Sequence, residues 1–264
     1  MSERVLVSVE DGVARVRLNR PDKLNGLDVA MFRAIVAAGE QVGADRSVRA
    51  VVLSGEGRSF SAGLDFQAFM AMGQEAVTLL TGERTGPANL AQRVGWIWRE
   101  IPQPVIAVLQ GHVYGGGLQI ALGADMRYAT PDAKLSVMEV AMGIIPDCGI
   151  TRTLPGLVRP DVARELTYTG RIVSGEEAAG LGLVTKVCAD PMAAALETAA
   201  AIAGRNPHAV QAAKRLWNEA PELDTAAAFE LETALQLPLL GSANQLEAVM
   251  AKMQRRPASF ADPE

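Results

Sequence analysis

Apolar and polar residues alternate over Val5–Val9 and again over Val13–Leu18, and the two runs flank Asp11-Gly12. Strict alternation is the period of a half-buried strand, and Asp-Gly supplies the turn, so this stretch predicts a β-hairpin. A polar connector, Asn19–Lys23, follows. Met31, Phe32, Ile35, Val36 and Val42 then recur at helical spacing behind Asp28, a residue type that caps helix N-termini. Val48–Leu53 predicts a short apolar strand, ended by Ser54-Gly55-Glu56-Gly57-Arg58. Phe66–Thr85 has a looser pattern with Gly73, Gly82 and several methionines, and predicts a partly helical, mobile segment. Asn89–Glu100 is amphipathic, with Leu90, Val94, Ile97 and Trp98 on one face and Pro102 and Pro104 as its stop. Val105–Leu109 is wholly apolar, the signature of a strand buried on both faces.

Beyond that strand the pattern predicts a helix at Leu118–Leu122, strands at Met126–Ala129 and Lys134–Ser136, and helices at Ile150–Leu154 and Asp161–Thr169. Gly170 closes the last of these. Ser174 with Glu177 predicts a capped short helix, and Leu183–Val187 a final strand. Met192–Gly204, Pro207–Asn218, Thr225–Leu240 and Ser242–Met253 are all helical in period. Strands and helices thus alternate through an α/β core, 1–190, and helices alone complete a region 191–264. A tail with little sheet to pack on folds over its own core or over a neighbouring subunit, which predicts an oligomer.

Composition narrows the functions. Net charge is −5 over 264 residues, there is no basic block, and aromatics are few, so nucleic acid is excluded as a partner. Cys148 and Cys188 are too far apart for a CxxC motif, and free thiols point to a reducing, cytoplasmic setting. His112 and His208 have no metal-site spacing. The opening MSERVLVSVEDGV lacks the apolar core of an export signal. Ile101–Ala124 carries no charge and has the length of a membrane span, but Pro102, Pro104, Gln103, Gln110, His112 and its glycines make it a strand, a turn and a helix. The nucleotide patterns GxxxxGK[ST] and GxGxxG and the nucleophile elbow GxSxG are absent.

Candidate chemistry gathers in Gly111–Gly149. Gly115-Gly116-Gly117 opens an apolar helical run, and a second glycine turn, Ala62-Gly63-Leu64, also follows a buried strand. Glycine lets backbone approach a ligand, and an N–H at a helix start points outward. Two such N–H groups converging on one oxygen make an oxyanion hole. Glu139 and Asp147 lie among apolar neighbours, where a carboxyl pKa rises toward the working range. A straight helix would hold them about 12 Å apart, but Gly143 and Pro146 break it; a loop there can bring both to one pocket, while spacing alone equally allows a helix-start or surface acid at Glu139 and a helix N-cap at Asp147.

Phe60-Ser61-Ala62-Gly63-Leu64-Asp65, Pro104-Val105-Ile106-Ala107 with Gly111 and the triple glycine, Ala124-Asp125-Met126-Arg127, and Glu139 to Gly149 together resemble the crotonase (enoyl-CoA hydratase/isomerase) superfamily. Asn19-Arg20-Pro21, Thr169-Gly170-Arg171 with Ser174, and Gly180–Val184 fit the same pattern, so the match runs nearly the whole chain in order. The resemblance implies an α/β spiral of ββα units with a C-terminal helical trimerisation region, assembled as a homotrimer or a dimer of trimers. It implies an acyl-CoA substrate and no metal or redox cofactor. By motif position, the N–H groups of Leu64 and Gly116 hold the thioester oxygen. Lys23, Leu24 and Ala62 lie along the CoA, and Gly63, Gly115 and Gln119 complete the substrate-binding set. Phe260, in Arg256-Pro257-Ala258-Ser259-Phe260, lines the acyl end of a neighbouring site.

Hydratases of this superfamily carry glutamates where this chain has Gln119 and Glu139. An amide is no general base, so hydration would rest on Glu139 alone. The dienoyl-CoA isomerases match at Glu139 and Asp147 but carry a third acid at the position of Gln119. Hydrolytic dehalogenases share the aspartate but place tryptophan where Glu139 stands. The residues therefore point to Glu139 and Asp147 as catalytic acids in a double-bond isomerisation of the 3,5-dienoyl-CoA to 2,4-dienoyl-CoA type. The alternative is a 2-enoyl-CoA hydratase in which Asp147 replaces the missing acid. A non-catalytic acyl-CoA-binding protein is a third reading, against which the retention of both carboxylates speaks.

Overall fold

The computed structural model describes residues 3–82 and 84–263; the first two residues, Glu83 and the last residue, which the expected spans include, lie outside the described residues. The chain opens on the expected hairpin. Strand β1 (Val5–Glu10) pairs antiparallel with β2 (Val13–Leu18), from Val5 opposite Leu18 to Glu10 opposite Val13. Asp11 and Gly12 turn it with φ of 49° and 76°, the paired left-handed values of a type I′ turn. Helix α1 (Val29–Ala44) starts at Asp28, whose side chain accepts from the Met31 N–H at 2.8 Å.

Strand β3 (Ala50–Gly55) runs parallel to β2. Its span is displaced from the expected Val48–Leu53 because its partner sets it: Val13 lies opposite Ala50, and Leu18 opposite Gly55. The loosely patterned segment forms two short helices, α2 (Phe66–Met72) and α3 (Gln74–Thr81), which meet at Gly73. Helix α4 (Leu90–Glu100) has a reciprocal capping box between Asn89 and Gln92. Strand β4 (Val105–Leu109) is buried along its whole length.

The chain then winds in repeated units. After β3, Ser61 bridges Val113 of β5 (His112–Tyr114); after β4, the chain enters β5 and helix α5 (Gly116–Leu122). Strand β6 (Met126–Ala129) leads to β7 (Lys134–Ser136), followed by α6 (Ile150–Thr153) and α7 (Pro160–Thr169). Strand β8 (Val173–Ser174), helix α8 (Gly175–Leu181) and strand β9 (Lys186–Val187) close the core. One strand of each turn joins a larger sheet, ordered β1-β2-β3-β4-β6-β9, and the next joins a smaller one, β5-β7-β8. This is a spiral of ββα units. Strand β9 is shorter than expected because the Leu183 and Val184 N–H groups both turn back to Ala178 O.

Side chains of β4 alternate between two cores. Val105, Ala107 and Leu109 join the cluster that contains residues of α1, α4 and α5, while Ile106 and Val108 join a smaller one with Ala195 and Ala199. Those alanines belong to α9 (Pro191–Ala203), so the first helix beyond residue 190 covers the sheet's second face. Among the described residues three more α-helices follow: α10 (Pro207–Glu219), α11 (Thr225–Gln236) and α12 (Ala243–Gln254). Lys214 ties α10 to the core: its buried Nζ donates to Trp98 O at 2.7 Å and Gln103 O at 2.8 Å, and pairs with Asp125 Oδ2 at 3.0 Å. Among the described residues no helix is long and apolar enough to cross a membrane.

Candidate active site

Two turns meet where β3 and β4 end. The Ser61 N–H donates to His112 O and the Tyr114 N–H to Ser61 O, each at 3.0 Å, so the chain leaving β3 runs beside β5. Gly63 has φ of 81°, and a Cβ there would sit 2.6 Å from Tyr114 O. Only glycine allows that approach. The Leu27 N–H donates to Gly63 O at 2.8 Å and the Asp65 N–H to Leu27 O at 3.0 Å. This bridge brackets Leu64 and leaves its N–H out of the ladder. On the facing turn, Gly115 has φ of 51° and donates its N–H to Ser136 O at 2.9 Å. Gly116 then begins α5, so its N–H is one of the four at a helix start without an intrahelical acceptor.

A network braces the Leu64 turn from behind. Arg20 pairs with Asp65 at 2.8 Å and donates to Gly26 O at 3.0 Å. Asp65 also caps α2, and the Ala68 N–H, then Arg20, hold its carboxyl below the ordinary aspartate range against some desolvation. Leu24 and Asn25 both adopt left-handed backbone, with φ of 50° and 54°. Asn25 is fully buried; its amide donates to Glu56 O and Ser59 O at 2.9 Å and accepts from the Arg20 N–H at 2.8 Å. The Ala62 N–H donates to Leu24 O at 2.9 Å, which sets Lys23 and Leu24 along the edge of the turn, Lys23 exposed.

Glu139 begins a single helical turn, Glu139–Met142, and is only 7% exposed. A Cβ placed on Gly115 would lie 3.1 Å from Glu139 Oε1 and 3.9 Å from Oε2, so the carboxyl rests against the glycine turn. Oε1 accepts from Gln119 Nε2 at 2.5 Å. Oε2 is sealed from solvent and has no hydrogen-bond partner among the described residues. Burial, the largest cause, raises the Glu139 pKa; the nearby charge of Asp147 adds to this, while hydrogen bonds from the local backbone and Gln119 oppose it. Asp147 is half-buried, and desolvation raises its pKa too. Cys148 Sγ contacts Asp147 Oδ1 at 3.7 Å, and burial pushes that thiol well up, so it stays protonated.

Leu64, Gly63, Gly115, Gly116, Gln119, Glu139 and Asp147 therefore gather in one region, bordered by Lys23, Leu24 and Ala62. Phe260 does not join them within the chain. Its carbonyl accepts from Arg49 at 3.2 Å, next to the start of β3 and at the opposite end of that strand from Leu64. Two cavities, of about 990 and 660 Å³, lie among α4 and the C-terminal helices and touch none of these residues. Among the described residues no group of three or more histidines, cysteines or acids is arranged to hold a metal. Sequence reasoning missed Asn25 and Cys148. A left-handed turn favours asparagine, which was a usable signal; Cys148 contributes its backbone N–H, donated to Gln119 Oε1 at 2.7 Å, which no residue type announces.

The enoyl-CoA hydratase/isomerase family model matches residues 8–263. A Bacillus subtilis (strain 168) protein whose name assigns it to the enoyl-CoA hydratases/isomerases is 34% identical over 264 residues, 98% of this chain and 99% of its own length. The mitochondrial Delta(3,5)-Delta(2,4)-dienoyl-CoA isomerase of Mus musculus is 30% identical over 269 residues, which cover 95% of this chain and 79% of the mouse protein. Among solved structures, an enoyl-CoA hydratase from Bacillus anthracis aligns with a TM-score of 0.89 and 29% identity over 97% of this chain and 98% of that one.

Proposed function

The chain belongs to the enoyl-CoA hydratase/isomerase family and has its crotonase-type α/β spiral with C-terminal helices, and from that premise we propose that it isomerises a 3,5-dienoyl-CoA to the 2,4-dienoyl-CoA. The observation that carries this reading is a pair of acids rather than a water-activating pair of glutamates: the charge of Asp147 adds to the rise of the Glu139 pKa, and position 119 is an amide. Glu139 rests against Gly115, next to the oxyanion donor, and serves the carbon adjoining the thioester. It takes the C2 proton. The electrons of that C–H bond spread through the two double bonds onto the thioester oxygen, which the N–H groups of Leu64 and Gly116 stabilise. Asp147, in its acid form, returns a proton at C6, leaving double bonds at C2 and C4. Both raised carboxyl pKa values suit groups that hold a proton part of the time.

The substrate is an acyl-CoA, with Lys23, Leu24 and Ala62 along the CoA and no metal or redox cofactor. Exposed Val140, Ile144 and Ile145 beside Glu139 supply an apolar rim for the acyl chain. The same proposal makes the protein a cytoplasmic homotrimer or dimer of trimers. Trp217, Phe229, Leu237 and Met253 are exposed on and after α10–α12, which supports a subunit contact there. Phe260 would then serve a neighbouring subunit's site. The likeness to a solved enoyl-CoA hydratase, and the partial exposure of Asp147, favour a second reading in which Asp147 helps Glu139 hydrate a 2-enoyl-CoA.

One ultraviolet assay separates the two. The protein is given a 3,5-dienoyl-CoA and, separately, a 2-enoyl-CoA. Growth of conjugated 2,4-dienoyl absorbance with little loss of the enoyl signal supports isomerisation. Loss of the enoyl signal with 3-hydroxyacyl-CoA as product supports hydration and overturns the first reading.

A further inference from the structure

Gln119 is completely buried, and both ends of its amide are engaged. Its Oε1 accepts the Cys148 N–H at 2.7 Å, and its Nε2 donates to Glu139 Oε1 at 2.5 Å. These two contacts decide the amide's orientation. A backbone N–H only donates, so the amide oxygen must face Cys148 and the amide NH₂ must face Glu139. Glu139 Oε1 therefore accepts from this N–H. A carbonyl-type oxygen accepts better than a protonated one, so the contact favours the proton on the other oxygen. That oxygen is Oε2, which has no hydrogen-bond partner among the described residues. The same side chain also anchors the peptide next to Asp147, so it joins the two acid-bearing segments.

We propose that Gln119 is a positioning residue: it favours Oε2 as the carrier of the transferable proton of Glu139 and holds the Glu139 and Asp147 segments in fixed register. This rests on the reading of Glu139 and Asp147 as the proton-moving pair. It replaces the expected contact of Gln119 with substrate by an action through Glu139. The titratable groups that reach Glu139 are Asp147 and Cys148. On α7, which packs against the turn bearing Glu139, Asp161 pairs with Arg159 and Glu165 with Arg171 at the surface, and Arg164 is exposed.

Two substitutions dissect the strut. Gln119→Met removes both hydrogen bonds. Gln119→Glu keeps an acceptor for the Cys148 N–H but replaces the donor to Glu139 with a second carboxylate. The first readout needs no turnover: carboxyl-carbon NMR titration of glutamate-labelled protein, with Glu139 assigned by the signal lost in Glu139→Gln. The Glu139 midpoint should rise in Gln119→Met, because a donor to its charged form is gone. In Gln119→Glu it should split into two coupled steps, the upper one above the wild-type midpoint. The second readout is the pH profile of whichever reaction the wild type catalyses, isomerisation or hydration. Here kcat for Gln119→Met should fall about 100-fold with KM nearly unchanged, the scale of a misplaced catalytic group, and the acid limb should move with the NMR midpoint. An unchanged Glu139 midpoint in both variants would overturn the proposal. A midpoint that moves while the acid limb stays put would support the clamp and instead remove Glu139 from the chemistry.

Discussion

Glu139→Gln separates proton transfer from every other contribution of this side chain. The substitution keeps the shape. A glutamine oxygen accepts from Gln119 as Glu139 Oε1 does at 2.5 Å, and its amide nitrogen takes the place of Oε2 against Gly115. Substrate binding should therefore be nearly untouched, while the group that moves the proton is gone. An acid–base group is worth about 100- to 10,000-fold, so kcat should fall by at least about 100-fold, roughly 2.7 kcal/mol of barrier, with KM nearly constant. The assay is the ultraviolet appearance of dienoyl product under saturating substrate. The pH dependence has a definite sign. As a base Glu139 acts ionised, and burial raises its pKa, so wild-type turnover should rise with pH through a limb above the ordinary glutamate value that Glu139→Gln lacks. Stability runs the other way. A carboxyl whose folded pKa is raised binds its proton more tightly when folded, so its contribution is fully present below the unfolded value and is lost as pH rises through the folded one. The melting temperature of Glu139→Gln minus that of the wild type should thus increase from about pH 4 to about pH 8. Turnover within tenfold of wild type, or a melting difference that does not widen with pH, would refute the reasoning.

Asp147→Asn should also lower kcat at least about 100-fold in the same assay; near-normal rates would remove Asp147 from the mechanism. Gly63→Ala forces a side chain into left-handed backbone and sets a Cβ 2.6 Å from Tyr114 O, so it should cost about 1–2 kcal/mol of strain, seen in a denaturant melt. It should also displace the neighbouring Leu64 N–H, lowering kcat by about 100- to 1,000-fold. Lys214→Met removes a buried cation that serves two carbonyls and Asp125; it should destabilise by about 3–5 kcal/mol, and roughly a 10 °C lower melting temperature by calorimetry would record it.

Most of the fold was legible because local chemistry and tertiary context agree. Asp11-Gly12 needed two positive φ values, and the hairpin has them. Asp28, Asn89 and Ser174 stand at helix starts in the sequence pattern, and their side chains accept from Met31, Gln92 and Glu177 N–H groups. The uninterrupted apolar run of β4 demanded cover on both faces, and two cores supply it. Boundaries failed where a distant partner decides them. β3 is displaced because it matches β2 residue for residue. α11 ends at Gln236 instead of Leu240 because Pro238 lacks an N–H and crowds the residue before it.

The site divides along a different line. Its residue types were legible: glycines at two positive-φ turns, and two acids among apolar neighbours. Motif position singled out the Leu64 and Gly116 N–H groups, and local geometry leaves Leu64 outside its bridge and Gly116 at a helix start. The contacts among these residues were not legible. Nothing in the spacing of Gln119, Glu139 and Cys148 says that one amide bridges the other two, because the decisive donor is a backbone N–H common to every residue but proline. Read by type alone, Gln119 is a lost acid, and the chain is an impaired hydratase. Read by its hydrogen bonds, it is a filled position. Its carbonyl accepts from Cys148, its NH₂ favours the proton of Glu139 on Oε2, and its neutrality spares Glu139 a second carboxylate at 2.5 Å. A glutamate there would have to share a proton with Glu139, since two carboxylates that close do not both ionise. The amide instead leaves Asp147 as the carboxylate whose charge raises the Glu139 pKa, the pairing that the proposed isomerisation calls for.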